Sequence, residues 1–339
     1  MATETNVSSF QTKLSTRRAG ILSYGMTPPK EGTADEKLHH LGSTQRERLV
    51  SLQTKIGIDA VVMYDIQDEK ERNPNPRPFP FMDTVDGVRY LEQYLQLPPT
   101  LPTIVYRCTA KYTAKQFEEF LAKPIAAASV FVGASARDQS VHFTMREAYE
   151  MRARWAESTR CMPIGGVAIP ERHEAKGDEH HRILHKIAEG CTFFITQCVY
   201  NVEHAKTFLS DYYYACRDAG VPMVPILITL TPCGSKKTLQ FMEWLGIKVS
   251  KWLQNDLVRA EDASILQLSV EACEATFRDL WTFSAAKGIP LGANIESLAI
   301  RKSEIDASMD LVRRVKDIME GVPASPVISP VSLPRRVQV

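Results

Sequence analysis

The sequence predicts an α/β protein: a single-domain (β/α)8 TIM barrel with a helical insertion before the eighth strand. Three observations indicate this fold. They are eight short runs rich in β-branched residues, segments of helical periodicity between them, and a length of 339 residues, which is at the upper end for one barrel domain. Apolar strands that alternate with amphipathic helices require a parallel sheet covered by helices. Eight repeats in this length favour a closed barrel, and a doubly wound open sheet stays the alternative.

The elements follow one another in the order strand, helix, strand. The strands are predicted at residues 19–24, 58–64, 102–108, 128–134, 163–169, 192–198, 223–230 and 290–296. The helices between them are predicted at residues 38–55, 85–95, 114–121, 145–157, 179–189, 202–219 and 235–245. A further helical segment, from about residue 249 to 287, is the predicted insertion.

Three segments divide the chain. Residues 1–18 are predicted as an N-terminal extension, 19–320 as the barrel, and 321–339 as a proline-rich, mobile tail that can dock on a partner subunit. The stretch QDEKERNPNPRPFPFMD follows the second strand. It is therefore a strand-to-helix loop on the side where barrel active sites form.

Charge and composition exclude several classes of protein. With 41 basic and 40 acidic residues the formal charge is +1, so no overall field attracts nucleic acid or an anionic membrane. No apolar run approaches eighteen residues and the N-terminus lacks an apolar signal core, so neither a membrane span nor export is expected. The seven cysteines are scattered without a CxxC pair, as in reduced proteins, and a cytoplasmic location is expected.

Polar residues at the ends of barrel strands converge on one mouth, which makes them candidates for a site. They are Tyr64, Asp65, Gln67, Arg107, Cys108, Ser135, Glu171, His173, Glu174, Gln197, Thr229, Thr231 and Glu296. A glutamate that ends an apolar strand is the least expected of these. Burial raises the pKa of such a carboxyl and makes it a possible general acid. The alternative is a salt bridge across the mouth, for instance between Glu296 and Arg107.

Sequence motifs for metal and phosphate binding are weak. His181 and His185 stand at i and i+4 on one helix face, a spacing that can hold a metal, but a solvated helix face is favoured and no metal is predicted. Neither GxGxxG after a strand nor GxxxxGK[ST] occurs. A nucleotide cofactor would therefore be held by barrel loops and helix N-termini.

The stretch GVAIPERHEAKGDEHHRILHKIAEGCTFFITQ resembles the region of the fifth and sixth strands in methylenetetrahydrofolate reductases. The matching residues are Pro170, Glu171, His173, Glu174, Ala175, Lys186, Gly190, Thr196 and Gln197. The resemblance is strong over residues 163–255 and weaker elsewhere. It implies a (β/α)8 barrel that reduces methylenetetrahydrofolate to its methyl form with NAD(P)H, with FAD as a possible cofactor.

The resemblance also implies roles for single residues. It implies His173 and Lys186 beside the flavin or dinucleotide, Tyr64 near the flavin, and Gln197 beside the folate pterin or the nicotinamide. We further predict Tyr106 and Ser135 as cofactor contacts, and Arg107, Thr231 and Phe81 as substrate contacts.

Two motifs of the family are altered. The first strand of the family ends in an FExxPP-like motif whose glutamate is the proposed proton donor, and here YGMTPP places Gly25 there. The strand-four RGD is replaced by FVGASARD, with Ser135 or Asp138 as the nearest polar group. The acidic loop with PRPFPF, the FVGA strand end and the carboxylate in ANIES resemble more closely a flavin-free branch of the family known in mycobacteria. The expected catalytic acids are, in order, Glu296, Glu171 and Asp68.

Three functions follow as hypotheses. The first is an NAD(P)H-dependent reductase of a methylene-folate or a related iminium substrate. The second is a folate-binding or methyl-transfer protein that has lost reduction. The third is a non-catalytic subunit of a true reductase, and a homo-oligomer or hetero-oligomer is expected.

Overall fold

The structure, a computed structural model, describes residues 8–70, 73–123, 125–135, 140–155 and 162–321, without the side chains of residues 262 and 263. Eight parallel strands close into a barrel in chain order, and β8 pairs with β1. They are β1 (Leu22–Met26), β2 (Ala60–Met63), β3 (Thr103–Cys108), β4 (Ala128–Val132), β5 (Ile164–Ala168), β6 (Cys191–Cys198), β7 (Ile226–Leu230) and β8 (Leu291–Glu296). The predicted fold class and all eight predicted strands are confirmed.

Helices cover the outside of the barrel. They are α1 (Ser9–Ser15), α2 (Asp35–Lys55), α3 (Gly87–Tyr90, continued by a π-helical turn over Leu91–Leu95), α4 (Ala114–Ala122), α5 (Met145–Trp155), α6 (Pro170–Lys176), α7 (Glu179–Ala188), α8 (Val202–Ala219), α9 (Lys236–Trp244), α10 (Lys251–Arg259), α11 (Asp262–Lys287) and α12 (Lys302–Gly321). Among the described helices, none is long and apolar enough to cross a membrane.

Three helices separate β7 from β8 where a minimal barrel has one. The long helix α11 packs against both α8 and α12, the place of the regular barrel helix. The additional helices are therefore α9 and α10. The insertion predicted over residues 249–287 begins too late and includes α11, because periodicity reports a helix but not the neighbour it packs on.

Part of the predicted N-terminal extension packs against the barrel. Helix α1 buries Phe10 and Leu14 in one cluster with inward-facing residues of the strands, and the Phe10 ring meets the edge of Phe193 at 6.3 Å between centroids. The Lys13 ammonium pairs with Asp59 at 2.8 Å, just before β2. The helix therefore covers the end of the barrel where the strands begin, and leaves the opposite mouth for a site.

Of the predicted mobile tail, residues 321–339, Gly321 is the last residue of α12, and residues 322–339 lie outside the described residues, as do Asp138 and Cys161. The other six cysteines are buried and form no disulfide with one another. This agrees with the scattered spacing of the cysteines in the sequence.

Candidate functional site

A desolvated carboxyl stands at the open mouth of the barrel. Glu296 is the half-buried last residue of β8. Desolvation raises the pKa of its carboxyl from 4.5 to about 7, although a hydrogen-bonding contact with the Tyr64 hydroxyl works the other way. A carboxyl with that pKa is partly protonated near neutral pH, so it can give up a proton to a bound molecule.

A hydrogen-bonded network of buried polar groups holds Tyr64 beside this acid. Asn294 Nδ2 donates to Tyr64 Oη at 2.7 Å and to Thr229 Oγ1 at 3.3 Å, while Asn294 Oδ1 accepts from Ser23 Oγ at 2.9 Å. Sequence reasoning missed Asn294. The available signal was an amide on an otherwise apolar strand, two residues before Glu296 and so on the same face.

A second tyrosine completes an aromatic wall next to Glu296. The rings of Tyr64 and Tyr106 meet edge to face with centroids 4.9 Å apart. Burial, and then the nearby Glu296 charge, raises the pKa of both phenols well above 10. Both hydroxyls therefore stay neutral, and the edge of one ring covers a face of the other.

The residue that pairs with Glu296 on the neighbouring strand is a glycine and has no side chain. Gly25 of β1 is the register partner of Glu296 in the barrel. A Cβ added to Gly25 would lie 2.8 Å from Cε2 of Tyr64 and 3.0 Å from its hydroxyl. The ring of Tyr64 thus fills the space that a first-strand side chain would need.

A second carboxyl with a raised pKa follows β5. Glu171 lies in the first turn of α6, and burial raises the pKa of its carboxyl to about 7, while N–H groups nearby and the Lys248 charge offset part of the rise. Neither carboxylate oxygen has a well-aligned hydrogen-bond partner among the described residues. Burial raises the pKa of the Cys198 thiol, and the nearby charges of Glu296 and Glu171 raise it further.

The loop after β2, described over residues 65–70 and 73–86, contacts the end of β4. Gln67 Nε2 donates to the Gly133 carbonyl at 3.0 Å, and Ser135 Oγ donates to the Asp68 carbonyl at 3.2 Å, so both contacts reach the end of β4. The Asp68 carboxylate is half-buried and pairs with Lys70 at 3.6 Å. The third predicted acid therefore belongs to the loop and has an ion-pair partner.

The same loop reaches α9 on the other side. The Arg77 guanidinium lies 5.3 Å from the ring of Phe81, 5.0 Å from that of Phe241 and 5.3 Å from that of Trp244. Asn73 Nδ2 also donates to the Trp244 carbonyl at 2.7 Å. The described parts of the loop thus contact the end of β4 through residues 67–68 and α9 through residues 73–77. The predicted substrate contact Phe81 belongs to the part of the loop beside α9.

Comparison with known proteins gives a family and a related structure. The family model "Methylenetetrahydrofolate reductase" matches residues 157–293. A protein from Clostridium thermocellum that binds two copies of 5-methyl-5,6,7,8-tetrahydrofolic acid is 44% identical, with a TM-score of 0.78, and the match covers 91% of this chain and 99% of that one. The chain belongs to the methylenetetrahydrofolate reductase family.

Two other solved structures match less well. A protein from Aquifex aeolicus is 11% identical with a TM-score of 0.49, and covers 91% of this chain and 96% of its own. Dihydropteroate synthase from Thermus thermophilus is 15% identical with a TM-score of 0.43, and covers 90% and 95%. Nothing about this chain follows from either likeness. No curated protein matches the sequence.

Two residues that the methylenetetrahydrofolate reductase pattern assigns to a cofactor face other groups. His173 is buried between α6 and α8, where its Nε2 lies 3.0 Å from Asp211 Oδ2. Lys186 donates from Nζ to the Val167 carbonyl at 2.8 Å and lies behind β5, against the outward-facing Gly166. Both side chains stand between sheet and helices, outside the mouth. The sequence placed His173 after the fifth strand and Lys186 on the helix that follows, but could not give the direction of either side chain.

The predicted substrate contact Arg107 is also corrected. Its guanidinium forms an ion pair with Asp86 at 2.5 Å and stacks on the rings of Tyr112 and Phe120 at 4.5 and 4.4 Å. It therefore points out of the barrel, opposite to its inward-facing neighbour Tyr106. The alternative of a salt bridge between Arg107 and Glu296 is excluded by the same contacts.

Two further predicted contacts lie near the mouth. Gln197 Nε2 donates to the Leu245 carbonyl at 2.8 Å and so joins β6 to the end of α9. Thr231 follows β7 and is fully buried, and its hydroxyl has no hydrogen-bond partner among the described residues.

The residues expected to hold a flavin do not form one surface. Tyr64 faces the mouth, Ser135 contacts the loop after β2, and His173 and Lys186 lie outside the barrel interior. The residues that the resemblance assigns to a cofactor are therefore divided between the mouth, the loop and the outside of the barrel.

Proposed function

We propose that this protein binds a reduced folate in the barrel mouth and reduces methylenetetrahydrofolate to its methyl form with NAD(P)H. The single observation that carries the proposal is the desolvated carboxyl of Glu296, whose pKa of about 7 suits a proton donor. Membership of the family and the 5-methyltetrahydrofolate held by the Clostridium thermocellum relative support the choice of ligand.

The reaction needs one hydride and one proton. The methylene carbon bridges two nitrogens. Protonation of one nitrogen breaks its bond to the methylene carbon and leaves an iminium cation at the other. Hydride from NAD(P)H then adds to the iminium carbon and gives the methyl group, NAD(P)+ and a neutral amine. In our proposal Glu296 supplies the proton and so takes the place of the first-strand glutamate of the family.

The groups around Glu296 suit this role. Tyr64 and Tyr106 offer an aromatic wall against which a pterin or nicotinamide ring can pack. Asn294 fixes the Tyr64 hydroxyl, which in turn positions the Glu296 carboxyl. The described parts of the loop after β2 contact the end of β4 and α9, and in our proposal they reduce access of water to the iminium.

A second candidate function is folate binding without reduction. The relative from Clostridium thermocellum holds the methyl form, which is the product of the reduction, in two copies. The family's first-strand acid is also replaced by Gly25. Under this candidate the protein binds 5-methyltetrahydrofolate but not the nicotinamide, and passes the methyl group on or presents it to a partner.

One set of assays tests both candidates. Purified protein is mixed with methylenetetrahydrofolate and NADH or NADPH, and oxidation of the nicotinamide is followed, with 5-methyltetrahydrofolate titrated separately by calorimetry. Folate binding with turnover supports the reductase, and folate binding without turnover supports the second candidate. Absence of any folate binding overturns both. The absorbance spectrum of the same protein reports whether flavin co-purifies.

A further inference from the structure

Two imidazoles and a carboxylate come together outside the barrel mouth, where α6, α7 and α8 meet. His173, His180 and Asp211 each place one possible ligand atom within 4.8 Å of the others. The His173 and His180 rings meet edge to face at 5.3 Å, and His173 Nε2 lies 3.0 Å from Asp211 Oδ2. Three helices bring these side chains together, although 38 positions separate His173 from Asp211 in the sequence.

The hydrogen bonding of the two histidines is incomplete. The Nδ1 atoms of His173 and His180 are both buried and have no hydrogen-bond partner among the described residues. His173 is only 3% exposed. A buried polar atom without a partner costs free energy, about 1–3 kcal/mol in mutational data. A cation beside Asp211 would be bound by His173 through Nε2, the nitrogen that faces Asp211, and coordination through Nδ1 would give His180 a partner.

The geometry leaves room for an ion to draw the three ligands together. Ligands of a tetrahedral zinc ion lie about 3.3 Å apart when the bonds are about 2.0–2.1 Å long. His173 and Asp211 already meet that spacing. The Asp211 side chain is 48% exposed and His180 is half-buried, so small rotations of both side chains can complete the approach.

We propose that His173, His180 and Asp211 bind a divalent transition-metal ion, with Zn²⁺ as the ion that suits two imidazoles and one carboxylate, and with water as the fourth ligand. The ion links α6, α7 and α8 on the outside of the barrel. It takes no part in the proposed folate chemistry. The pair His181 and His185, suggested by helical spacing, is not part of this group.

Calorimetric titration of the metal-free full-length protein with Zn²⁺ tests the site. His180→Gln and Asp211→Asn each remove one ligand, and His185→Gln is the matched control. His185 lies on the same helix as His180, is exposed and pairs with Glu189 at 3.9 Å. Replacement of Zn²⁺ by Co²⁺ adds an optical readout, since tetrahedral Co²⁺ absorbs visible light far more strongly than the hydrated ion.

We expect one equivalent of Zn²⁺ in the wild-type protein and in His185→Gln, and affinity at least about tenfold lower in His180→Gln and Asp211→Asn. The Co²⁺ spectrum of the two ligand variants loses its tetrahedral bands. The proposal is overturned if the wild-type protein binds no Zn²⁺, or if both ligand variants bind it as tightly as the control. The titration uses no folate, so its outcome is independent of the proposed reductase activity.

Discussion

The ring of Tyr64 lies against the backbone of Gly25 and leaves no room there for a Cβ atom. The place from which the family's first-strand acid would project is therefore filled by an aromatic side chain from the neighbouring strand. Tyr64 in turn contacts Glu296, the register partner of Gly25. The loss of one acid and the presence of another are two parts of one packing arrangement.

Gly25→Ala should destabilise the protein by about 1–3 kcal/mol, because the new methyl group forces the Tyr64 ring out of its place. Urea unfolding measures the change. Gly321→Ala is the matched control, since a Cβ there meets nothing within 4 Å. In Gly25→Ala/Tyr64→Ala the clash is gone, so the two changes should be non-additive. Full additivity would show that the Gly25 backbone does not depend on the ring.

Glu296→Gln should lower the turnover of methylenetetrahydrofolate by about 10²–10⁴-fold, because the amide keeps the shape of the side chain but cannot donate an acidic proton. The affinity for 5-methyltetrahydrofolate, measured by calorimetry, should change little. Glu171→Gln serves as control, since it removes the other carboxyl whose pKa is about 7. If Glu171→Gln loses turnover and Glu296→Gln keeps it, the proton donor is misassigned.

The stability of the protein should depend on the Glu296 charge between pH 4.5 and about 7. Because the pKa of this carboxyl is higher in the folded state, ionisation costs stability, and the loss develops as pH rises through this window. Glu296→Gln should therefore be more stable than the wild type by about 1–3 kcal/mol at pH 8 and equal to it at pH 4. Urea midpoints at the two pH values measure this. A constant difference at both would contradict the shifted pKa.

Tyr64→Phe should raise the pKa of Glu296 further, since the tyrosine hydroxyl favours the ionised carboxylate. The alkaline limb of the pH profile of turnover should therefore move to higher pH. Tyr106→Phe is the control, because it removes a neighbouring neutral hydroxyl that makes no hydrogen bond to Glu296, and it should leave the limb in place. Equal shifts in both variants would assign the effect to altered burial instead of the hydrogen bond.

Arg77→Ala should release the loop after β2 from α9. The guanidinium lies over two rings of α9, those of Phe241 and Trp244, and over the ring of Phe81 in the loop itself. A cation over a ring contributes about 0.5–1 kcal/mol at exposed sites. Limited proteolysis should then cut residues 65–86 severalfold faster, and saturating folate should slow the cut again. Arg89→Ala, whose arginine lies on α3 outside the loop, is the control. If both variants are cut at the same rate, Arg77 does not anchor the loop to α9.

The sequence predicted the strands and the end of the barrel at which the site lies, but not the direction of the side chains in the site. Runs of apolar β-branched residues and helical periodicity follow from local preferences, so the strand ends and the acid Glu296 could be found without a structure. Whether Arg107 or Tyr106 enters the barrel depends on where the sheet closes, and Arg107 proved to point outwards. His173 and Asp211 meet only through the packing of α6 on α8, which no local pattern reports.

The register between β1 and β8 also affects how this chain is compared with its relatives. The backbone of Glu296 lies one strand spacing from that of Gly25, about 4.8 Å, which an extended glutamate side chain can span. Carboxyls carried by either strand can thus reach the same point above the barrel. A column-by-column alignment would count the acid as lost, whereas the three-dimensional position retains it. Family members with a first-strand glycine should accordingly be examined for a glutamate at the end of the eighth strand before they are classed as inactive.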